Sequence, residues 1–198
     1  MPGIKKELFN LNTITRLGII GLIINLSSAC INTIWSIYIN SFIDNISQVA
    51  LITGLFSLLS FFSYFFFIPI IEKSDKSKMF IKTTMAFAIL YILFAINRNL
   101  LVFLFLASIM TLTFTLRISS FGIIIKNKAT RYHLSRSEGI VFTLSNIAWM
   151  IGPLIAGILS ERFGFEIIFL LSAIFCLIAV FLFKVWKIDD KSKKKKVE

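Results

Sequence analysis

Six long apolar runs alternate with short polar segments along the chain: Leu17–Ile39, Val49–Ile71, Met79–Ile96, Leu100–Ile125, Gly139–Leu159 and Ile167–Phe183. A helix crossing the bilayer core needs about 20 apolar residues, a length these runs approach or exceed. Strands of a membrane barrel would be about ten residues long and would alternate in polarity. These runs are longer and apolar throughout, so the pattern predicts an all-α integral membrane protein with six transmembrane helices. A domain over residues 17–183 lies between an N-terminal tail, 1–16, and a basic C-terminal tail, 184–198. The intervening loops are too short to hold a soluble domain.

Composition agrees. The 198 residues are 57% hydrophobic and 16% charged, with a mean hydropathy of +0.87, whereas soluble domains carry about 25% charged residues. Twenty-two phenylalanines beside nine glycines and three prolines argue against disorder. A water-soluble enzyme is excluded. The net charge of +11 would suggest nucleic acid in a soluble chain, but its placement points elsewhere. Seventeen of the 21 basic residues lie in the N-terminal tail, the 72–78 loop, the 126–138 loop and the C-terminal tail, against Arg98 and Arg162 on the other side. By the positive-inside rule both termini are expected in the cytoplasm, in a cell (plasma or inner) membrane. The run Lys193–Lys196 either binds anionic lipid or is a solvated tail. Lys5, Lys6 and Arg16 precede an apolar run, and Ser27-Ser28-Ala29-Cys30 resembles a lipoprotein cleavage box. That run continues to Ile39, too long for a signal peptide, so no cleavage is expected.

Polar residues inside the spans fall on faces. Asn25, Ser28, Asn32 and Ser36 recur at intervals of three, four and four, which places them on one side of helix 1. Asparagines face lipid only at a cost, so this stripe, flanked by Trp35, faces protein or a water-filled cavity. It is either a wall of a substrate path or a set of interhelical hydrogen bonds. Span 4 carries Ser108, Thr111, Thr115 and Ser119 on one face and Thr113, Arg117 and Ser120 on the opposite one. Arg117 is the one permanent charge well inside a span, at a cost of about 2.5–3.5 kcal/mol on insertion scales. No Asp or Glu lies deep in any span. Its partner is therefore an anionic substrate, a carboxylate of another subunit or backbone carbonyls, unless the side chain snorkels to the surface. In span 5, Ser145, Ala148, Gly152 and Ala156 form a smooth face that admits a close helix, and Pro153 is expected to kink it.

Chemistry of other kinds is thin. The one histidine, His133, lies in a loop; Cys30 and Cys176 sit in apolar stretches without metal spacing. No paired carboxylates or nucleophile dyad fall within the spans, so neither enzyme activity, cofactor nor metal is expected.

Three features carry a resemblance to the major facilitator superfamily of secondary transporters. Ala148-Trp149-Met150-Ile151-Gly152-Pro153-Leu154-Ile155-Ala156-Gly157 is similar to the family's fifth-helix motif G-x-x-x-G-P-x-x-G-G, with alanine for two glycines. Glu72-Lys73-Ser74-Asp75-Lys76 resembles the D-R-x-G-R core of its loop motif, with Asp75 in place of a glycine. The third feature is the layout of termini and basic loops. The fourth-helix motif R-x-x-Q-G is not matched: Ile118-Ser119-Ser120-Phe121-Gly122 follows Arg117, so that arginine's family role is not carried over.

Family members have twelve helices in two parallel halves, each of two inverted three-helix repeats. The six spans resemble one half, most nearly the N-terminal one. The resemblance implies that helices 1 and 4 line a central cavity while helices 2 and 5 meet the other half. It assigns the polar faces of spans 1 and 4 to the cavity and the small-residue face of span 5 to the interface. Glu72, Lys73, Asp75 and Lys76 would latch the halves, although capping of span 3 by Ser74 or Asp75 explains the loop equally. The expected function is an alternating-access transporter of a small solute, completed by a second six-helix unit, as a homodimer or with a separate chain. The alternative is an accessory or substrate-capturing membrane subunit of a larger transport complex. With no acid at depth, a coupled ion would be bound by the other unit, or the protein is a uniporter.

Overall fold

The computed structural model describes residues 2–43, 45–129 and 134–188, with side chains from Thr13 onward. Asp44, His133 and the lysines of the C-terminal run lie outside the described residues. Six helices follow one another: α1 (Pro2–Asn40), α2 (Ile46–Lys73), α3 (Lys76–Ile96), α4 (Leu100–Lys128), α5 (Leu134–Phe163) and α6 (Phe165–Val185). All six are long and apolar enough to cross a membrane, and each contains one of the expected spans. Several overrun them, α1 at its start and α4 and α5 toward their shared loop. Apolarity marks the bilayer, whereas the helical backbone continues through the polar residues beyond it.

Side chains fix the joints. Asn45 accepts from Ser47 N at 3.0 Å and Asn99 from Leu101 N at 2.8 Å, capping α2 and α4. Asp75 caps α3 by accepting from Lys78 N at 3.0 Å. Such caps satisfy amides that a helix start leaves unpaired. The α5–α6 joint is the single residue Gly164, with φ of +79°. A side chain is disfavoured there, and a Cβ would also lie 2.6 Å from Glu166 Oε2. Helix α5 runs on through Pro153 without a break.

The packing repeats itself. Helix α1 lies against α5 and α6, as α4 lies against α2 and α3, while α3 and α6 pack on each other. Exchanging α1–α3 with α4–α6 leaves this pattern nearly unchanged, and the two trios start from opposite ends of the bundle. These are two inverted three-helix repeats. One departure stands out: α5 rests on α6, but α2 has no comparable seat on α3. Correspondingly, only Val49, Ser63 and Ile71 of α2 are buried.

Two apolar cores occupy the two ends. At the end bearing the 72–78 loop, Ile14, Leu17, Ile20, Phe80, Ile124 and Phe183 are buried together, and Phe80 lies 4.8 Å from Phe183, centroid to centroid. At the opposite end Tyr38 is ringed by Phe42, Phe94, Phe103, Phe165 and Phe169, and its hydroxyl donates to Phe94 O at 3.0 Å. Between the cores lies a more polar layer in which Ser27 Oγ donates to Ser172 O and Ser172 Oγ to Ser27 O, at 3.0 and 3.3 Å.

The small-residue face of α5 is consumed inside the bundle. Ala148, Gly152 and Ala156 are buried, and a Cβ on Gly152 would stand 2.5 Å from Ala29 Cβ and 3.3 Å from Cys30 N. Helix α1 therefore occupies the face that the resemblance assigns to a second unit, because the missing side chain admits its backbone there. Gly157, also in the motif, points away, with nothing within 4 Å. Replacing Gly152 with Val is expected to lower stability by about 1–3 kcal/mol, while Gly157→Ala costs nothing. Thermal unfolding in detergent compares them; equal losses would contradict the close α1–α5 approach.

Candidate functional site

A cavity of about 300 Å³ opens in the polar layer. Helix α1 contributes Ser28, Asn32 and Trp35; α2 contributes Thr53, Phe56, Ser57 and Ser60; Phe87 and Tyr91 come from α3. Thr111 and Phe114 of α4 and Trp149 of α5 complete the wall. The volume sits at the low end of the ~300–1,000 Å³ usual for small-molecule sites. The wall is largely aromatic and broken by hydroxyls and one amide, with no charged side chain. Asn32, Ser57 and Trp149 are exposed on its open side, so this face of the bundle is polar at a depth where the rest is apolar.

The polar stripe of α1 divides into two uses. Ser28 and Asn32 line the cavity, with Trp35 between them and the aromatic core. Asn25 instead donates from Nδ2 to Ser145 Oγ at 3.0 Å and to Gly21 O at 2.8 Å, tying α1 to α5. Ser36 is exposed and is not among the lining residues. On α4 the cavity takes Thr111, from the face opposite Arg117. Thr113 Oγ1 and Ser120 Oγ donate to carbonyls of their own helix, Ile109 O and Arg117 O, and neither residue lines the cavity. Thr115 is bonded to Ser63 of α2 at 2.5 Å.

Three residues that sequence reasoning missed are Thr53, Ser57 and Ser60 on α2. Their spacing of four and three marks one helical face, a signal no weaker than that of α1, but the leucines and Phe56 between them hide it. The other omission is Asn146, exposed on α5 one turn from Trp149.

Arg117 stands directly behind the wall and is 2% exposed. It points inward, not to the surface. Its Nη2 donates to Ser28 Oγ at 3.0 Å, and the guanidinium lies over the Phe87 ring at 3.8 Å and near the Phe114 ring at 5.7 Å. Nε and Nη1 have no hydrogen-bond partner. A buried donor left unpaired costs about 1–3 kcal/mol, and cation–π contact with Phe87 offsets about 2 kcal/mol of the burial. The carboxylates with described side chains, Glu72, Asp75, Glu138, Glu161 and Glu166, all lie within about a turn of a helix end. Tyr91 and Cys176, both uncharged side-chain types, also interact with Arg117.

The 72–76 loop is bound to itself. Asp75 caps α3, and Lys76 Nζ donates to Glu72 O at 3.1 Å and Ser74 O at 2.5 Å, at the carbonyl end of α2. Glu72 and Lys73 are exposed. At the other end Arg98 Nη2 and Glu166 Oε1 pair at 2.6 Å across the surface, a contact worth about 0–1 kcal/mol.

Inverted repeats of apolar helices, with a small cavity in their polar layer, define a multi-pass membrane protein of transporter architecture. The family model of the Major Facilitator Superfamily matches residues 17–198, and the chain belongs to that superfamily. It is thus a major facilitator-type transporter at the superfamily level. No curated protein matches the chain.

Water access to the cavity is testable by labelling. Cysteine at Asn32 or Ser57 is expected to react with a small water-soluble thiol reagent. Cysteine at Ser172, within the α1–α6 contact, stays unlabelled, and buried Cys30 and Cys176 give little background. Protection at Asn32 and Ser57 would mean that the face is sealed.

Proposed function

We propose that the chain forms one six-helix unit of an alternating-access transporter for a small solute, with a second six-helix unit completing the cavity. The observation that carries this reading is the open polar face: Asn32 and Ser57, both lining the cavity, are exposed at mid-depth of helices whose exposed side chains are mostly apolar. Amides facing lipid directly are costly, so a second unit that meets this face turns an expensive surface into an enclosed, hydrated path. Because the small-residue face of α5 is occupied by α1, the contact with that unit falls on the larger side chains. On α5 these include Met150 and Leu154, and on α2 Leu58 and Phe62, all exposed.

Halves of such transporters are related by an axis along the membrane normal. Two identical copies can therefore pair without inverting either one, and a separate chain could serve as well. The basic end, with the termini, is assigned to the cytoplasm of the cell membrane from the distribution of Lys and Arg. Rocking of the units would expose the cavity to each side in turn. With no carboxylate at depth, a coupled ion would be bound by the second unit, or transport would be uniport.

Native mass measurement in nanodiscs, joined to solute uptake into proteoliposomes, tests the proposal. A dimer or a complex with a second six-helix chain, active in uptake, is the expected result. A lone monomer without uptake would favour the accessory or substrate-capturing subunit instead.

A further inference from the structure

We propose that the cavity takes a small aromatic monocarboxylate, held through Arg117; this rests on reading the cavity as the solute site. The guanidinium is buried, uses one donor on Ser28 and leaves Nε and Nη1 unpaired. No described carboxylate pairs with it, and every acidic residue lies outside the apolar spans. Three side chains around it, Ser28, Phe87 and Phe114, are also cavity wall. An acid group seated at Ser28 is one side chain away from the charge. Turning the Ser28 hydroxyl or the Phe87 ring brings the two together. The carboxylate then accepts the unpaired N–H donors, a charge-assisted contact that the dry surroundings strengthen.

The same wall defines the rest of the ligand. Trp35, Phe56, Tyr91 and Phe114 present ring faces and edges that suit a flat apolar body. A single cation behind a wall with no charged side chain accepts one negative charge; a second would be buried without a partner. The volume of about 300 Å³ limits the body to one or two rings.

Trp35 and Trp149 line the cavity, while Trp186 lies under Arg16 at the basic end. In full-length protein carrying Trp186→Phe in nanodiscs, emission therefore reports the cavity. The probes are 4-nitrobenzoate and 4-nitrobenzyl alcohol, both quenchers and similar in shape. The acid is expected to quench at concentrations about ten- to a hundredfold lower than the alcohol, the usual range for a hydrogen bond to a charged group. Arg117→Gln removes that preference and leaves quenching by the alcohol in place, and Arg117→Lys restores part of it. Equal quenching by both probes, or a preference that survives Arg117→Gln, would overturn the inference while leaving the cavity as a solute site. Absence of quenching by either probe in the parent protein would remove the cavity reading and the inference with it. Should Arg117→Gln not fold, Arg117→Lys decides: a preference for the acid that is unchanged in size would show that the guanidinium does not select the ligand.

Discussion

The approach of α1 to α5 at Gly152 governs the arrangement of the bundle. Lipid offers no hydrophobic drive for helices to associate, so close packing and interhelical hydrogen bonds must hold them. Gly152 supplies the first by letting the Ala29–Cys30 backbone into van der Waals range. Asn25 and Ser145 supply the second two turns away. With α1 held there, its other sides meet α6 through Ser27 and Ser172 and turn Ser28 and Asn32 toward the cavity. Each use of the α1 surface depends on which part the α5 contact has taken.

The six helices and their inverted order are plain in the sequence, because hydrocarbon thickness imposes a length and basic loops impose a direction. Faces were harder to read. The stripe Asn25, Ser28, Asn32 and Ser36 is periodic along its length, yet Asn25 meets Ser145 and Ser28 and Asn32 meet the cavity. Periodicity shows that residues share a side, not what stands opposite. Helix α4 makes the point in reverse: its two polar faces both point inward, because α2 lies on one and α1 and α3 lie on the other. The small-residue face of α5 signals a close helix, but the sequence holds no clue that the helix is α1. In α2, hydroxyls at helical spacing are submerged among leucines and phenylalanines, and only the fold reveals that Thr53, Ser57 and Ser60 line the cavity while Phe61, Phe62, Phe65 and Phe66 face the surroundings.

Polar groups are concentrated between two aromatic-rich cores. The Tyr38 cluster at one end and the Phe80 stack at the other are built from rings that interlock, which resists sliding of the helix ends. The middle layer mixes hydroxyls, thiols and a guanidinium with its rings, Phe87, Tyr91 and Phe114. Arg117 is tolerated there because Ser28 and the Phe87 ring share its charge, and because its neighbours Tyr91 and Cys176 are polarisable. The arrangement places the electric field of one cation at the wall of the polar recess between the cores.

Helix α2 is buried at three points, Val49 near one end, Ser63 at the middle and Ile71 near the other, with Ile52 and Phe56 partly buried against the core. Only the middle one is a hydrogen bond to another helix, from or to Thr115. The large side chains on its outer surface, phenylalanines and leucines with isoleucines and Tyr64, face the surroundings. One wall of the cavity thus rests on whatever presses from outside, as a stave is held by its hoop. The width of the recess is accordingly a property of the envelope around the bundle as much as of the bundle itself.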